Sequence, residues 1–215
     1  MLWPRRNRTL QRALVLVLGC VAWNAAPAHA QQDSRHLGVQ LRLLAGPSYV
    51  HASQSLGHGQ SDEISGAALA LNFVLGHMVS EQLALGLDLW MAYSGAASRG
   101  VLASTNVSAV HVGAGASYWL MPANVYLSGS LGLMRSSVEA APIRVGTNLE
   151  LPAEEVTNLG LGVHLEAGKV FWLDPRWTLG ASASLLFGAA SNSVGGTSST
   201  RYLYGLCAML VLGFH

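Results

Sequence analysis

Charged residues are scarce in this chain of 215 residues. Asp, Glu, Lys and Arg together make up 11% of it, and lysine occurs once, as Lys169. Soluble domains usually carry about 25% charged residues, whereas apolar residues here reach 51%. The chain therefore has too few charges to cover the surface of an ordinary soluble domain.

Long apolar runs are also missing from the sequence. None reaches the roughly 18 to 20 residues that a membrane-spanning helix needs. Glycine is abundant instead, with 24 residues, or about 11% against a usual value of about 7%. An apolar, glycine-rich chain without spanning helices is typical of transmembrane β-structure.

The positive charges are concentrated at the N-terminus. Arg5, Arg6, Arg8 and Arg12 stand in the first dozen positions, and all acidic residues follow residue 30. Without the first thirty residues, eight basic and eleven acidic residues remain, a net charge of −3. The remaining chain has no basic patch for phosphate groups, so we expect no nucleic-acid partner.

Residues 1–30 have the pattern of an export signal. The four arginines precede the apolar segment Ala13–Trp23, and Ala28-His29-Ala30 is a small-x-small cleavage site. We therefore predict a signal peptide at 1–30 and a mature domain at 31–215. A second interpretation stays open, because the residues up to Cys20 resemble a bacterial lipoprotein site.

Cleavage after Ala30 leaves Cys207 as the only cysteine, which excludes an intramolecular disulfide.

Hydrophobicity in the mature chain alternates with a period of two. Leu85, Leu87 and Leu89, for example, alternate with smaller or polar residues such as Gly86 and Asp88. This alternation indicates strands with a different environment on each face. Because charges are too few to cover an outer surface, the large apolar set is predicted to face lipid and the small or polar set the interior.

Eight such segments can be placed, and each reaches the 9 to 11 or so residues of a tilted membrane strand. Short connections alternate with longer, polar ones, which is the pattern of periplasmic turns and extracellular loops. Strands in lipid must also close into a ring, because an open edge leaves backbone groups unpaired. The sequence thus predicts an all-β fold, an eight-stranded antiparallel up-and-down transmembrane β-barrel. The predicted strands are Gly38–Val50, Gly66–Gly76, Leu83–Tyr93, Val107–Leu120, Val125–Ser136, Thr157–Trp172, Trp177–Ala189 and Tyr202–Phe214.

The last predicted strand is apolar on alternate residues and carries Phe214 at its end. With this strand, the region from Gly38 to His215 resembles the small eight-stranded outer-membrane barrels of Gram-negative bacteria, of the OmpA membrane-domain and OmpX type. The resemblance implies a location in the outer membrane and recognition by the barrel-assembly machinery. It also implies contact with outer-membrane lipid and lipopolysaccharide, and we expect a monomer.

Polar residues at the strand positions predicted to face the barrel interior form the candidate site. Arg42, Asp88 and Glu166 fall at similar heights above the short-turn rim, and His111 and His164 fall higher. One interpretation is an ion or proton path, or a salt-bridge gate. The other is a filled interior, in which a buried arginine requires carboxylate partners. Either predicts that Arg42 pairs with one or both carboxylates of this lumen polar network.

The expected function is that of a non-enzymatic outer-membrane barrel, structural, adhesive or narrow-pore, with four longer extracellular loops. Two alternatives stay open: an enzyme acting on outer-leaflet lipid, and a channel for small solutes or hydrophobic compounds. The enzyme would need an outward Ser–His–acid set, and His51-Ala52-Ser53 supplies only two of its members. No catalytic residue, cofactor or metal ligand is assigned, since the spacing of His51, His58, Asp62 and Glu63 fits no known metal site.

Overall fold

A computed structural model describes residues 38–57, 60–99, 103–140, 143–145, 149–151, 155–194 and 197–215. The predicted signal peptide, including the alternative site at Cys20, lies outside the described residues. The strands, in chain order, are β1 (Val39–Gly57), β2 (Gln60–Met78), β3 (Leu83–Arg99), β4 (Ala103–Leu120), β5 (Val125–Ala140), β6 (Ile143–Val145), β7 (Leu149–Leu151), β8 (Glu155–Trp172), β9 (Trp177–Val194) and β10 (Thr197–Phe214).

Eight of these strands form a closed barrel in the order β1-β10-β9-β8-β5-β4-β3-β2. All neighbours are antiparallel, and β1 closes the ring by pairing with β10, from Leu41 opposite Phe214 to Gln54 opposite Arg201. Closure pairs the backbone groups that an open sheet edge would expose to lipid. The predicted fold class and strand order are confirmed. No helix in the described part of the chain has the length and hydropathy to cross a membrane.

The alternating faces of the strands are also confirmed. On β3, Leu85 and Leu87 are 49% and 59% exposed, whereas Asp88 and Trp90 are 6% and 0% exposed. The outward leucines of all the barrel strands form a continuous apolar belt, and the inward side chains fill the lumen. This inside-out pattern matches a barrel surrounded by lipid.

Aromatic side chains lie at both ends of the belt. Tyr49, Tyr93 and Tyr202 are about half exposed on the side of the longer connections. Tyr118 and Trp177 are similarly exposed on the side of the short turns, which are 79–82, 121–124 and 173–176. Amphipathic rings favour the two membrane interfaces, so these two girdles mark the limits of the hydrocarbon core. The short turns mark the periplasmic end.

The strands are longer than predicted at the extracellular end. The predicted loop at 51–65 is mostly strand, and only residues 58–59 separate β1 from β2. The segment 137–156 likewise extends β5 and β8 and contains the separate hairpin of β6 and β7. Alternation of apolar residues stops where the lipid ends, but backbone pairing continues in water. Polar side chains can reinforce it, as Ser137 and Thr157 do with hydroxyl oxygens 2.9 Å apart.

Large side chains and glycines together fill the barrel interior. Trp90, Trp119, Tyr126 and Met134 are at most 2% exposed. Gly168 provides the space for the Tyr126 ring, because a Cβ at this position would lie 2.5 Å from the ring carbon Cζ. A barrel of eight strands is narrow enough for side chains to fill, and here they do so.

Candidate functional site

The five residues predicted for the lumen are all inside the barrel. Arg42 lies on β1, Asp88 on β3 and His111 on β4, while His164 and Glu166 lie on β8. None is more than 6% exposed. The strand period therefore directs all five side chains inward, and the structure divides them between two clusters.

The first cluster surrounds Arg42. Its Nη1 lies 3.7 Å from Oε1 of Glu166, and its Nη2 donates hydrogen bonds to Ser117 Oγ at 2.7 Å and Ser128 Oγ at 3.2 Å. The guanidinium also lies over the ring of Tyr126, 4.2 Å from its centroid. A charged group out of water needs both an opposite charge and hydrogen-bond acceptors, and this cluster supplies both.

Glu166 is held by three neighbours. Asn72 donates a hydrogen bond to Oε2 at 3.0 Å, Tyr126 donates its hydroxyl to Oε1, and Arg42 lies beside the same oxygen. These residues come from β1, β2, β5 and β8, so the cluster crosses the lumen. A carboxylate with donors on both oxygens has little freedom to move.

Asp88 belongs to a second cluster. Its Oδ2 accepts hydrogen bonds from His164 Nδ1 at 2.7 Å and from Ser130 Oγ at 2.6 Å. Of the two predicted carboxylates, Glu166 is therefore the ion-pair partner of Arg42, and Asp88 pairs with a histidine. In the sequence, both carboxylates fall at inward-facing positions and at similar heights in the barrel. Only the closed ring determines which of their strands lies across the lumen from Arg42.

A hydrogen-bonded chain continues from Asp88 to His111. His111 Nε2 lies 3.0 Å from Ser130 Oγ. Because Ser130 donates its only hydroxyl hydrogen to Asp88, it accepts from His111, so Nε2 of His111 carries the hydrogen. Ser130 thus orients His111 and Asp88, and Asp88 in turn orients His164. Within the described residues, Nδ1 of His111 and Nε2 of His164 have no hydrogen-bond partner.

The serines that form part of the two clusters were not identified from the sequence. Ser128 and Ser130 follow Tyr126 at intervals of two on β5, and Ser117 shares parity with His111 on β4. Their inward-facing positions in the alternating pattern are the feature that could have identified them. This feature is weak evidence, because the barrel strands carry many small residues on the inward face and most of them only make room for larger neighbours.

A small cavity lies beside these clusters. Its volume, between Asp88, Ser117, Ser128 and Gln40, is about 10 Å³, roughly the minimum for one water molecule. Towards the periplasm, Trp119 donates a hydrogen bond to Gln40 at 3.3 Å. The rings of Trp119 and Tyr126 lie 5.1 Å apart. These side chains therefore pack against one another inside the lumen.

A different group of polar residues lies on the outer face near the extracellular end. His51 and Ser53 share one face of β1, and Glu63 on β2 is the register partner of Ser53. His51 lies against Tyr204 of β10, with ring centroids 6.2 Å apart. The structure thus brings an acid next to the His-Ala-Ser string, although among the described residues no hydrogen bond joins the three side chains.

Metal ligands do not converge in the part of the chain that the structure describes, where no group of three His, Cys, Asp or Glu side chains could hold an ion. Of the four residues considered for such a site, His58 lies outside the described residues. Cys207 is a buried free thiol inside the barrel.

Comparison with known proteins bears on the fold. Neither a protein-family model nor a curated protein matches the chain. Among solved structures, Ail, the attachment invasion locus protein of Yersinia pestis, shares 15% identity at a TM-score of 0.42, covering 80% of this chain and 99% of that one. Outer membrane protein AlkL shares 14% identity at 0.48, covering 86% and 93%. Outer membrane protease OmpT from Escherichia coli shares 11% identity at 0.46, covering 82% and 96%.

The protein is an outer-membrane β-barrel. Its own closed ring of eight strands and its belt of exposed leucines carry this conclusion. The similarity to the solved structures concerns the fold alone, and the names of those proteins include an attachment protein and a protease. A fold by itself does not decide an activity, so the side chains of this chain must do so.

Proposed function

We propose that this protein is a non-enzymatic outer-membrane barrel with a closed lumen, which serves to hold its extracellular strand extensions at the cell surface. The observation that supports this most is the pair of clusters around Arg42 and Asp88, which fill part of the lumen and border a cavity large enough for about one water molecule. A solute channel would need a continuous opening past these side chains. The extended strand ends then become the surface available to partners, as in an adhesive or structural protein.

Conductance of the refolded barrel in a planar bilayer tests this function. We expect no steady current, because Arg42, Glu166 and Tyr126 fill the same cross-section. A barrel known to conduct, inserted under the same conditions, is the control for insertion. Steady current through the wild-type protein would contradict the proposal and favour the small-solute channel.

The partners expected from the sequence belong to the same proposal. The protein would be inserted by the barrel-assembly machinery as a monomer and would contact lipopolysaccharide in the outer leaflet. Arg135 supports the last point, because it is exposed on the outer face of β5 towards the extracellular end. A cation at that height suits the phosphate groups of lipopolysaccharide.

A second candidate function is hydrolysis of an ester in outer-leaflet lipid. It is favoured by one observation, the register that sets Glu63 opposite Ser53 on the face that also carries His51. Cross-strand partners have Cβ atoms about 5 Å apart, and diagonal neighbours about 7 to 8 Å, so side-chain rotation can bring the three groups together. Ser53 Oγ would attack the ester carbonyl while His51 takes its proton and returns it to the leaving alkoxide. Water would then release the acid from the serine ester.

Lipopolysaccharide incubated with the protein in detergent distinguishes the two functions. If the barrel is an esterase, mass spectrometry shows lipid A short of an acyl chain and an equal amount of free fatty acid, and Ser53→Ala abolishes both. Ser108→Ala is the matched control, because Ser108 also lies near the extracellular end but faces Tyr93. Unchanged lipid A with the wild-type protein would leave the non-enzymatic function.

A further inference from the structure

A row of glycines forms part of the inner wall of the barrel. Gly76 on β2, Gly86 on β3 and Gly115 on β4 are successive register partners. The same row begins at Gln40 on β1, the partner of Gly76, and reaches Ser130 on β5, the partner of Gly115. Because the three glycines place no side chain in the lumen, the wall is recessed between the two polar residues.

The cavity of about 10 Å³ lies against this row, and all five residues of the row line it. Its other polar lining residues belong to the two clusters, and they are Asp88, Ser117 and Ser128. A site for one buried water molecule needs about 10 to 15 Å³ and two to four polar partners. The cavity has the size for one water, so its polar groups decide whether a water binds there.

Gln40 presents its amide nitrogen as a donor at this cavity. The indole N–H of Trp119 can only donate, and it lies 3.3 Å from Gln40 Oε1. This contact fixes the orientation of the amide, because the oxygen must face the indole. Gln40 is 1% exposed, and among the described residues its Nε2 has no hydrogen-bond partner. A buried donor without a partner is destabilising, so a ligand that accepts from Nε2 would be stabilising.

Asp88 presents the matching acceptor. Its Oδ2 accepts hydrogen bonds from His164 and Ser130. Its Oδ1 has no hydrogen-bond partner in the part of the chain that the structure describes. Each oxygen of a carboxylate can accept two hydrogen bonds, and this residue is only 6% exposed. Oδ1 is therefore an acceptor that bulk water reaches poorly.

The serine pair at the cavity adds a second donor. Ser117 Oγ and Ser128 Oγ lie 2.9 Å apart, and both accept a hydrogen bond from Arg42 Nη2. One hydroxyl donates to the other within the pair, which leaves one hydroxyl hydrogen for a further acceptor. The cavity thus combines two kinds of donor with a carboxylate oxygen.

The charges around the cavity select a neutral ligand. The guanidinium of Arg42, which is bonded to both serines of the lining, disfavours a metal cation, and so does the N–H of Gln40. The carboxylate of Asp88 disfavours an anion. A neutral molecule that both accepts and donates hydrogen bonds satisfies all of these groups, and at this volume that molecule is water.

We propose that the cavity binds one water molecule, which accepts a hydrogen bond from Gln40 Nε2 and donates one to Asp88 Oδ1. With a serine hydroxyl as the second donor, the water makes three hydrogen bonds, which is typical of a buried water. It joins the Arg42 cluster and the Asp88 cluster into one hydrogen-bonded network. This inference concerns the interior alone and is independent of the function proposed above.

Nuclear magnetic resonance of the refolded, isotope-labelled protein in detergent micelles tests the proposal. The side-chain amide protons of Gln40 should show a cross peak to water, with the sign of direct contact with a bound water rather than of chemical exchange. The exposed Gln82 is the internal reference, since its amide should show only the signature of mobile surface water. The same surface signature at Gln40, or no peak at all, would overturn the proposal.

Gly76→Ala places a methyl group in the space for the water. Its Cβ would lie 3.3 Å from the carbonyl oxygen of Leu85 and farther from other neighbours, so a small adjustment accommodates it. The cross peak between Gln40 and water should disappear. The Nδ1–H resonance of His164 should shift, because the carboxylate that it binds loses a donor on its other oxygen.

Gly129→Ala is the matched control, because its Cβ would also come no closer than 3.3 Å to a neighbour, the outward Leu165. Both signals should remain as in the wild type. A Gln40 cross peak that survives in Gly76→Ala would contradict the proposal. The wild-type spectra decide the question even where Gly76→Ala fails to fold.

A crystal structure after soaking with thallium(I) separates water from a monovalent cation. Thallium replaces such a cation and is located by its anomalous scattering. We expect a single oxygen peak within hydrogen-bond distance of Gln40 Nε2 and Asp88 Oδ1, without anomalous signal. Anomalous density in the cavity would replace the water by a cation held at Asp88, and a cavity without density would exclude both.

Discussion

Arg42 on β1 and Glu166 on β8 form an ion pair across the lumen, with Nη1 3.7 Å from Oε1. Three strand-to-strand steps of the ring separate the two residues. Both side chains are at most 4% exposed, so water screens the pair little and neither charge has bulk solvent as an alternative partner. Hydroxyls of Ser117 and Ser128 accept hydrogen bonds from Arg42, and the amide of Asn72 donates one to Glu166. Loss of either charge would therefore leave the other without compensation.

Arg42→Ala should destabilise the refolded barrel by about 3 to 5 kcal/mol, since it isolates a buried carboxylate. Arg176→Ala removes the same charge from an exposed turn and should change the free energy of unfolding by less than about 0.5 kcal/mol. Urea unfolding in lipid vesicles measures both. Equal stability of the two variants would show that Arg42 reaches bulk water.

A double variant separates the cost of an isolated charge from the value of the pair. Arg42→Met with Glu166→Met replaces both charges by apolar groups, and such replacements of buried pairs are often close to neutral. We expect it to be more stable than Arg42→Met alone. A double variant as unstable as the single one would mean that Arg42 acts through its contacts with Ser117, Ser128 and Tyr126.

The second cluster predicts an order of effects. Asp88→Ala removes the acceptor of both His164 and Ser130, so it should cost more than Ser130→Ala, which leaves the His164 bond intact. Leaving a buried polar group unsatisfied typically costs about 1 to 3 kcal/mol. Ser136→Ala is the control, because Ser136 is fully buried and its hydroxyl has no partner among the described residues. Thermal unfolding should rank Asp88→Ala lowest and Ser136→Ala near the wild type; the reverse order would exclude the chain through Ser130.

Gly168→Ala tests how closely the interior is packed. Its added methyl would meet the Tyr126 ring, with Cζ at 2.5 Å, and displace the tyrosine that donates to Glu166. We expect a loss of about 1 to 3 kcal/mol from overpacking. Gly129→Ala is the comparison, because its Cβ would meet the flexible end of Leu165 at 3.3 Å. Similar unfolding curves for both variants would indicate a loosely filled lumen.

Sequencing the N-terminus of the mature protein tests the export signal. We expect the first residue to be Gln31, because Ala28-His29-Ala30 supplies small residues at the required positions. A Cys20→Ala variant should then mature normally. A lipid-modified N-terminus at Cys20, lost in Cys20→Ala, would select the lipoprotein interpretation.

The sequence determined the strands and their faces, because lipid on one side and a narrow interior on the other impose a period of two. That period sufficed to place residues such as Leu87 outside and Asp88 inside, and to direct all five candidate side chains inward. The sequence did not show where strands end outside the membrane, as at 51–65, since backbone pairing there continues without apolar alternation.

Only the tertiary structure decided which inward residues meet. Parity and height are the same for Asp88 and Glu166, but ring closure and strand register bring Glu166 to Arg42 and Asp88 to His164. The same register sets Glu63 opposite Ser53. These contacts join residues far apart in the chain, and their partners depend on the stagger of the closed barrel, which the pattern of a single strand does not contain.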